Sequence, residues 1–206
     1  MSKQLWKPGN MLYPLPAVLV SCGDKAGNYN VLTVAWTGTI CSDPAMVYVS
    51  VRKNRYSHHM LEETGEFYIN LTTEALAFAT DYCGVKSGKD LNKFEEMHLT
   101  PEMGMLSWAP MIKESSVCIA CEVVRIEELG SHDMFIANVN GVSADEAYMD
   151  AKGKFDLIKA KPIVYSHGQY YGLGRYIGKF GYSVQKNPAK VKKASVHKTK
   201  ANNKKA

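Results

Sequence analysis

Alternating apolar and polar residues dominate the first third of the chain. Residues 17–22 form a short apolar run, residues 29–40 alternate, and residues 46–51 place three valines on one face. A period of two is typical of β-strands, and Ser42-Asp43-Pro44 is typical of a turn between the second and third runs. The pattern therefore predicts three strands that follow one another closely.

The rest of the chain continues this pattern, with short helices between strands. Residues 56–64 and 74–82 fit helices, and residues 95–113 have no clear period. Further strand-like runs lie at 67–71, 115–127, 132–143, 163–166 and 169–171. Leu129-Gly130-Ser131 separates the two longest runs, which predicts a β-hairpin. Closely spaced strands favour antiparallel pairing, so we expect a mainly β fold, a barrel or a sandwich, with a few short helices.

The composition is that of one globular domain. The chain has 206 residues, of which 46% are hydrophobic and 22% charged, enough for a sizeable core. No apolar run approaches the roughly 20 residues that span a bilayer, and the first residues lack the apolar stretch of a signal peptide. We therefore expect a cytoplasmic protein without a membrane partner.

The basic residues are unevenly distributed. The formal charge is +5, yet residues 186–206 contain eight lysines and no acidic residue. We therefore predict a folded domain over residues 1–180 and a basic, disordered tail over residues 181–206. Attraction of this tail to nucleic acid is the weaker alternative, because residues 186–206 lack interleaved aromatic residues for base stacking.

The cysteines give no sign of a disulfide framework or a metal site. The chain has five of them, an odd number, which favours reduced thiols. Cys118 and Cys121 have the spacing of a CxxC motif but lie in a predicted strand. Positions three apart in a strand point to opposite faces, so we expect these thiols to be buried separately.

Three other motifs do not support the function that their spacing usually indicates, because the surrounding sequence does not fit it. Residues 84–90 are one residue short of a P-loop and end in Asp90 where a hydroxyl should bind magnesium. Residues 172–178 have a GxGxxxG spacing with no βαβ unit after it. His58 and Glu62, four apart on a predicted helix, suit a solvated ion pair better than a metal site. No metal site is therefore predicted.

One cluster favours an anionic aromatic ligand. Ser50, Arg52, Arg55, Ser57 and His58 meet where a predicted strand ends and a helix begins, an arrangement that suits a phosphate. Upstream, four side chains could line a flat ring: Thr33, Trp36, Thr37 and Thr39. The Gly-rich segment 84–90 offers a second, weaker anion-contacting segment.

The order of these segments resembles a known family. The run 30–39, Ser42-Asp43-Pro44, residues 49–52, residues 55–58 and Ser87-Gly88-Lys89-Asp90 follow one another as in the flavin reductase-like family. The resemblance covers about residues 12–178 and is strongest to the flavoredoxin and ferric-reductase-like branch. It implies an FMN-binding split β-barrel of Greek-key type, and a homodimer. Ala45 departs from the second proline common in this family.

The resemblance also implies cofactor contacts and chemistry. Thr33, Trp36 and Thr37 would contact the isoalloxazine or ribityl part of FMN, and Ser50, Val51 and Arg52 the ribityl and phosphate. Arg55, Ser57 and His58 would surround the phosphate, which Ser87, Lys89 and Lys93 would approach from the second loop. NADH or NADPH would donate a hydride to FMN, and electrons would pass to free flavin, ferric iron or an electron-acceptor protein. A non-enzymatic FMN electron carrier is the alternative, and no catalytic residue is assigned.

Overall fold

A computed structural model of the chain describes residues 2–184. The predicted tail over 181–206 lies almost entirely outside the described residues. Within the described residues, internal contacts form one compact unit that ends at Leu173 and a second that begins at Gly174, which contains a short 3₁₀ turn, Tyr182–Val184. No helix within residues 2–184 is long and apolar enough to cross a bilayer.

Twelve strands and three short α-helices make up the first unit. The strands are β1 Leu15–Pro16, β2 Val18–Gly23, β3 Tyr29–Val34, β4 Thr37–Ser42, β5 Ala45–Arg52, β6 Glu66–Leu71, β7 Pro101–Met103, β8 Pro110–Ile112, β9 Val117–Glu128, β10 His132–Ala144, β11 Ile163–Ser166 and β12 Gln169–Gly172. The α-helices are α1 Ser57–Thr64, α2 Ala77–Val85 and α3 Lys93–Glu96, and 3₁₀ turns cover Glu74–Leu76, Glu146–Tyr148 and Leu157–Ala160.

The main sheet is a seven-stranded antiparallel sheet whose two edges are joined by a very short link. Its order is β3-β2-β6-β9-β10-β5-β4, so β3 and β4 lie at opposite edges. Only Ala35 and Trp36 separate them. Because an extended residue spans at most about 3.6 Å, the two edges must approach each other at this corner. The sheet is therefore curled into a barrel.

The predicted single strand over residues 29–40 is wrong for the same reason. β3 pairs with β2, whereas β4 pairs with β5, so the chain changes sheet edge at Ala35 and Trp36. The period of two continues across this corner, and the hydrophobic pattern could not reveal the break.

The corner leaves part of β5 uncovered. Thr37, the first residue of β4, pairs with Val49, so Ser50 and Arg52 lie beyond the start of β4. The Ser50 N–H instead donates to the Trp36 carbonyl, with 2.8 Å between nitrogen and oxygen. The end of β5 thus faces the end of β3 across a gap in the barrel.

The predicted strand faces are confirmed by the core. Val47, Val49 and Val51 all point into the barrel interior, where Met60 and Leu61 of α1 also pack. A second buried cluster joins β2 and β3 to α2 and α3, through residues that include Leu19, Val31, Leu76, Ala79, Cys83 and Phe94. The two helices therefore cover the outer face of β3.

Two further predictions concern the long hairpin. β9 and β10 pair as expected around Gly130, which adopts a φ of 78° at the turn. Cys118 and Cys121 are both buried but belong to different clusters, one on each face of β9. The prediction that these thiols are buried separately is confirmed. Residues 95–113, predicted to be irregular, contain the small sheet of β7 and β8.

Candidate functional site

A cavity of about 560 Å³ opens at the gap between the ends of β3 and β5. Its volume lies within the range of small-molecule and cofactor sites. The walls come from β3, the end of β5, the start of α1, the loop after α2, α3, β10 and the tyrosines of β11 and β12. The lining includes Asn30, Thr33, Trp36, Ser50, Val51, Arg52, Asn54, Arg55, Ser57, Gly84, Lys86, Ser87, Gly88, Lys93, His132, Tyr165 and Tyr170.

Flat rings and positive charges form one wall of the cavity. The rings of Trp36 and His132 are nearly parallel, with an interplanar angle of 15° and centroids 6.4 Å apart. Burial, and then the nearby charges of Arg52 and Arg55, lower the pKa of His132 below its ordinary value. The two arginines therefore disfavour a further positive charge on His132 and carry the charge of this wall.

The start of α1 lines the cavity. The chain turns sharply after β5, since the Arg55 N–H donates to the Arg52 carbonyl at 3.0 Å. Within the described residues, no side chain caps the first turn of α1. Ser57, the first residue of this helix, is buried and lines the cavity. Helix starts of this kind favour negative charge.

The end of α2 and the loop after it form another wall by approaching β3 very closely. A Cβ atom at Gly84 would lie 3.2 Å from the Cβ atom of Thr33, and one at Gly88 would lie 2.2 Å from Oδ1 of Asn30. The Thr33 hydroxyl donates to the Thr80 carbonyl of α2. Gly84 in the last turn of α2 and Gly88 in the following loop thus allow this segment to lie directly against β3.

A buried lysine lies in this wall. The Lys93 ammonium donates to the Val31 carbonyl at 2.8 Å and to the Cys83 carbonyl at 2.9 Å, which ties β3 to α2. Burial lowers the pKa of Lys93 to about 8. None of the ion pairs within residues 2–184 includes this lysine. A buried cation of this kind is costly until an anion is supplied.

The cavity is consequently positive. Four basic side chains line it, Arg52, Arg55, Lys86 and Lys93, and no acidic side chain of the described region does so. In a partly desolvated cavity these charges act more strongly than on an open surface. The arrangement suits a ligand with an anionic group at one end.

Most of the predicted site residues meet at this cavity. Those that line it are Thr33, Trp36, Ser50, Val51, Arg52, Arg55, Ser57, Ser87 and Lys93. The Val51 side chain packs in the barrel core, so its main chain is the part available to a ligand. Lys93, expected to approach the phosphate from the second loop, is instead the first residue of α3, and its ammonium is buried and held by two carbonyls.

Three of the expected cofactor contacts do not line the cavity. Thr37 is buried and its hydroxyl donates to the Tyr48 carbonyl at 2.6 Å. Lys89 is exposed, and its backbone N–H donates to the Ser87 hydroxyl within a turn. His58 is also absent from the cavity lining, because its ring contacts two acidic side chains. Its Nε2 atom lies 2.7 Å from Oδ2 of Asp133, and its Nδ1 atom lies 3.2 Å from Oε2 of Glu62.

His58 therefore has a structural role: its ring connects α1 to β10, a connection that we call the tie. It is not the predicted solvated ion pair. Its ring is buried, and the Glu62 pairing that the sequence suggested is joined by a second one to Asp133, itself buried, on β10. Asp133 is 75 residues away, beyond the reach of any local pattern. Both ring nitrogens face a carboxylate, which fixes the position of α1 against β10.

Several lining residues were missed by the sequence reasoning. Asn30 lies in β3 and is buried despite its polar side chain. Strand alternation alone could have placed it on the buried face, where a polar side chain needs a hydrogen-bond partner. Lys86 belongs to the Gly-rich loop. His132, Tyr165 and Tyr170 come from distant strands, and no spacing in the sequence connects them to β3.

Comparisons with known proteins agree with this geometry. The model of the flavin reductase-like domain family matches residues 11–174. Flavoredoxin of Desulfovibrio vulgaris (Miyazaki F) is 30% identical, with a TM-score of 0.83 over 90% of this chain and 100% of that chain. An uncharacterised protein of Archaeoglobus fulgidus is 31% identical over 141 residues, which is 68% of this chain and 78% of that protein.

The fold is also that of a solved split barrel. A protein of Shewanella frigidimarina NCIMB 400 with a split barrel domain has a TM-score of 0.73 at 22% identity, over 82% of this chain and 86% of that chain. The predicted mainly β split-barrel fold is confirmed. The chain belongs to the family of proteins with a flavin reductase-like domain.

Proposed function

We propose that the cavity binds FMN and that the chain is an NAD(P)H-dependent flavin oxidoreductase. The observation that carries this proposal is the cavity lining, in which four basic side chains and no acidic side chain of the described region surround an opening beside an aromatic wall. The similarity to a flavoredoxin supports a flavin as the ligand.

The phosphate end of FMN fits the start of α1. Arg55 and Ser57 line that end, the first turn of the helix is uncapped, and Lys93 is a buried cation without an acidic partner among residues 2–184. A phosphate would receive charge-assisted hydrogen bonds from the arginine and would compensate the buried ammonium. The donors present therefore match the group that they would hold.

The ring end of FMN fits the wall of Trp36 and β3. Bound FMN would supply the redox chemistry, accepting a hydride from NADH or NADPH and passing electrons to free flavin, ferric iron or a partner protein. The chain would hold the ring between the end of β3 and the end of β5 and would exclude water with the loop after α2. No protein acid or base is needed for hydride transfer, so we propose no catalytic residue.

Anaerobic spectroscopy tests the enzymatic part of this proposal. We expect the flavin absorption of the FMN-loaded protein to bleach on addition of NADH or NADPH, and to bleach repeatedly when an acceptor reoxidises the flavin. Flavin that remains oxidised with both nucleotides, in protein that dithionite reduces normally, would rule out the reductase activity.

A non-enzymatic FMN electron carrier is the second candidate. It is favoured by the 30% identity to flavoredoxin of Desulfovibrio vulgaris over the full length of that chain. The same experiment separates the two functions, because a carrier would bind FMN yet accept electrons from a reduced partner protein and not from a pyridine nucleotide.

We also propose that the protein is a cytoplasmic homodimer. Apolar side chains remain exposed on β4 and on the hairpin of β9 and β10, among them Ile40, Val124, Leu129 and Val142. A second copy would cover such residues. Size-exclusion chromatography with light scattering should give twice the chain mass of 22.9 kDa, and a monomer at micromolar concentration would contradict this part of the proposal.

A further inference from the structure

Asn30 occupies an unusual position at the phosphate end of the cavity. Its side chain is buried on β3, only 3% exposed, and its Nδ2 atom donates to Oγ of Ser57 with 2.6 Å between the atoms. Both residues line the cavity. The bond joins β3 to the first residue of α1 at the edge of the cavity.

This bond determines what the Ser57 hydroxyl can do. A hydroxyl has one proton to donate and can accept at its oxygen. Because the Asn30 amide fills an acceptor position, the Ser57 proton is left to be donated. The Cys22 thiol lies near, but burial raises its pKa to about 12, so it is neutral and a weak acceptor. An anionic oxygen in the cavity is the stronger acceptor.

Gly88 keeps Asn30 in this orientation. The backbone of Gly88 lies so close that a Cβ atom there would be 2.2 Å from Oδ1 and 2.6 Å from Cγ of Asn30. The amide is thus held between the second loop and α1. Any larger residue at position 88 would have to displace the Asn30 side chain or the loop.

We propose that Asn30 is a positioning residue that aims the Ser57 hydroxyl at the phosphate of the flavin, so that the cavity selects FMN over unphosphorylated riboflavin. This inference rests on the proposed FMN-binding function. Asn30 does not itself need to touch the phosphate. Its effect is transmitted through Ser57, and it therefore acts only on ligands that carry the phosphate.

A double-mutant cycle tests the inference. Affinities for FMN and for riboflavin are measured by flavin fluorescence quenching in the unmodified protein, Asn30→Leu, Ser57→Ala and the double variant. We expect each single variant to weaken FMN binding roughly tenfold or more. Riboflavin binding should change by less than about twofold. The double variant should be little worse than either single variant, because both remove the same contact.

Gly88→Ala provides a second variant that leaves Asn30 and Ser57 in place. Displacement of the Asn30 amide should weaken FMN binding and spare riboflavin binding, whereas Lys89→Ala, an exposed neighbour outside the cavity, should change neither. Retained riboflavin binding shows in each case that the variant is folded.

The outcomes separate the two levels of the proposal. Additive losses in the cycle, or equal losses for FMN and riboflavin, would overturn the role of Asn30 while leaving FMN binding intact. An unmodified protein that quenches neither flavin would overturn the proposed function, and the positioning role with it.

Discussion

Lys93 is the residue whose chemistry depends most on the ligand. Without an anion, its ammonium is buried against two carbonyls, and burial lowers its pKa to about 8 from an ordinary value of 10.5. A bound phosphate would stabilise the charged form and raise this pKa again. Binding above pH 8 therefore requires uptake of a proton.

The first prediction is a pH-dependent preference for FMN. Between pH 8 and 9.5, unliganded Lys93 is neutral and liganded Lys93 is charged, so FMN affinity should fall with rising pH, by at most about tenfold per pH unit. The phosphate stays dianionic in this range, because its second pKa is about 6. The ratio of FMN to riboflavin affinity, measured by fluorescence titration, reports this effect. The prediction would be contradicted if this ratio stayed constant with rising pH in the original protein. It would also be contradicted if the ratio fell as much in Lys93→Met as in the original protein.

The second prediction compares two cations of similar exposure. Arg52 lines the cavity beside His132, whereas Lys89 is exposed outside it. Arg52→Ala should weaken FMN binding by roughly 1–3 kcal/mol, the range for a lost hydrogen bond to a charged group. Lys89→Ala should leave the dissociation constant unchanged. Similar losses of FMN affinity in both variants would indicate general electrostatic attraction and not a specific phosphate-binding site.

At the scale of elements, the tie between α1 and β10 positions the phosphate end of the cavity. Asp133 is 3% exposed and contacts His58 at 2.7 Å and Lys53 at 3.3 Å. His58 follows Ser57 directly, so a shift of its ring would move the helix start that lines the cavity. The tie therefore links fold stability to ligand binding.

The third prediction concerns this tie. Asp133→Ala removes the buried partner of the His58 ring and should lower the free energy of unfolding by roughly 1.5–3 kcal/mol, the range for a hydrogen bond to a charged group. Glu62→Ala removes the other, more exposed partner of the same ring and should cost less than about 1 kcal/mol. Urea unfolding measures both values. Equal effects of the two substitutions would show that burial of Asp133 does not govern the tie.

The elements themselves were largely predictable from the chain. The period of two at Val47, Val49 and Val51 identified β5 and its inner face because burial on one face forces alternation. The break at Ala35 and Trp36 was not predictable, since it depends on which strand each half pairs with. The pairing of His58 with Asp133 was equally hidden, because a contact across 75 residues leaves no local pattern.

At the scale of the whole molecule, the barrel gap explains why the site forms where it does. Curling brings β3 and β5 together but leaves the end of β5 unpaired by β4, and the loop after α2 closes over the opening. From the sequence, Arg52, Arg55 and Ser57 were enough to place the end of β5 and the start of α1 at the site. His132 could not be placed there, because it reaches the cavity only through the pairing of β10 with β5. Tyr165 and Tyr170 could not be placed there either, because they come from the separate sheet of β1, β11 and β12.

FMN binding in this gap is tested most directly by the visible absorption spectrum of the purified protein, recorded as isolated and again after equilibration with excess FMN and gel filtration. We predict a yellow protein that retains the absorption bands of oxidised flavin, shifted from those of free FMN, at one FMN per chain. A protein that remains colourless after equilibration with FMN would contradict the proposed cofactor and the phosphate site built from Arg55, Ser57 and Lys93.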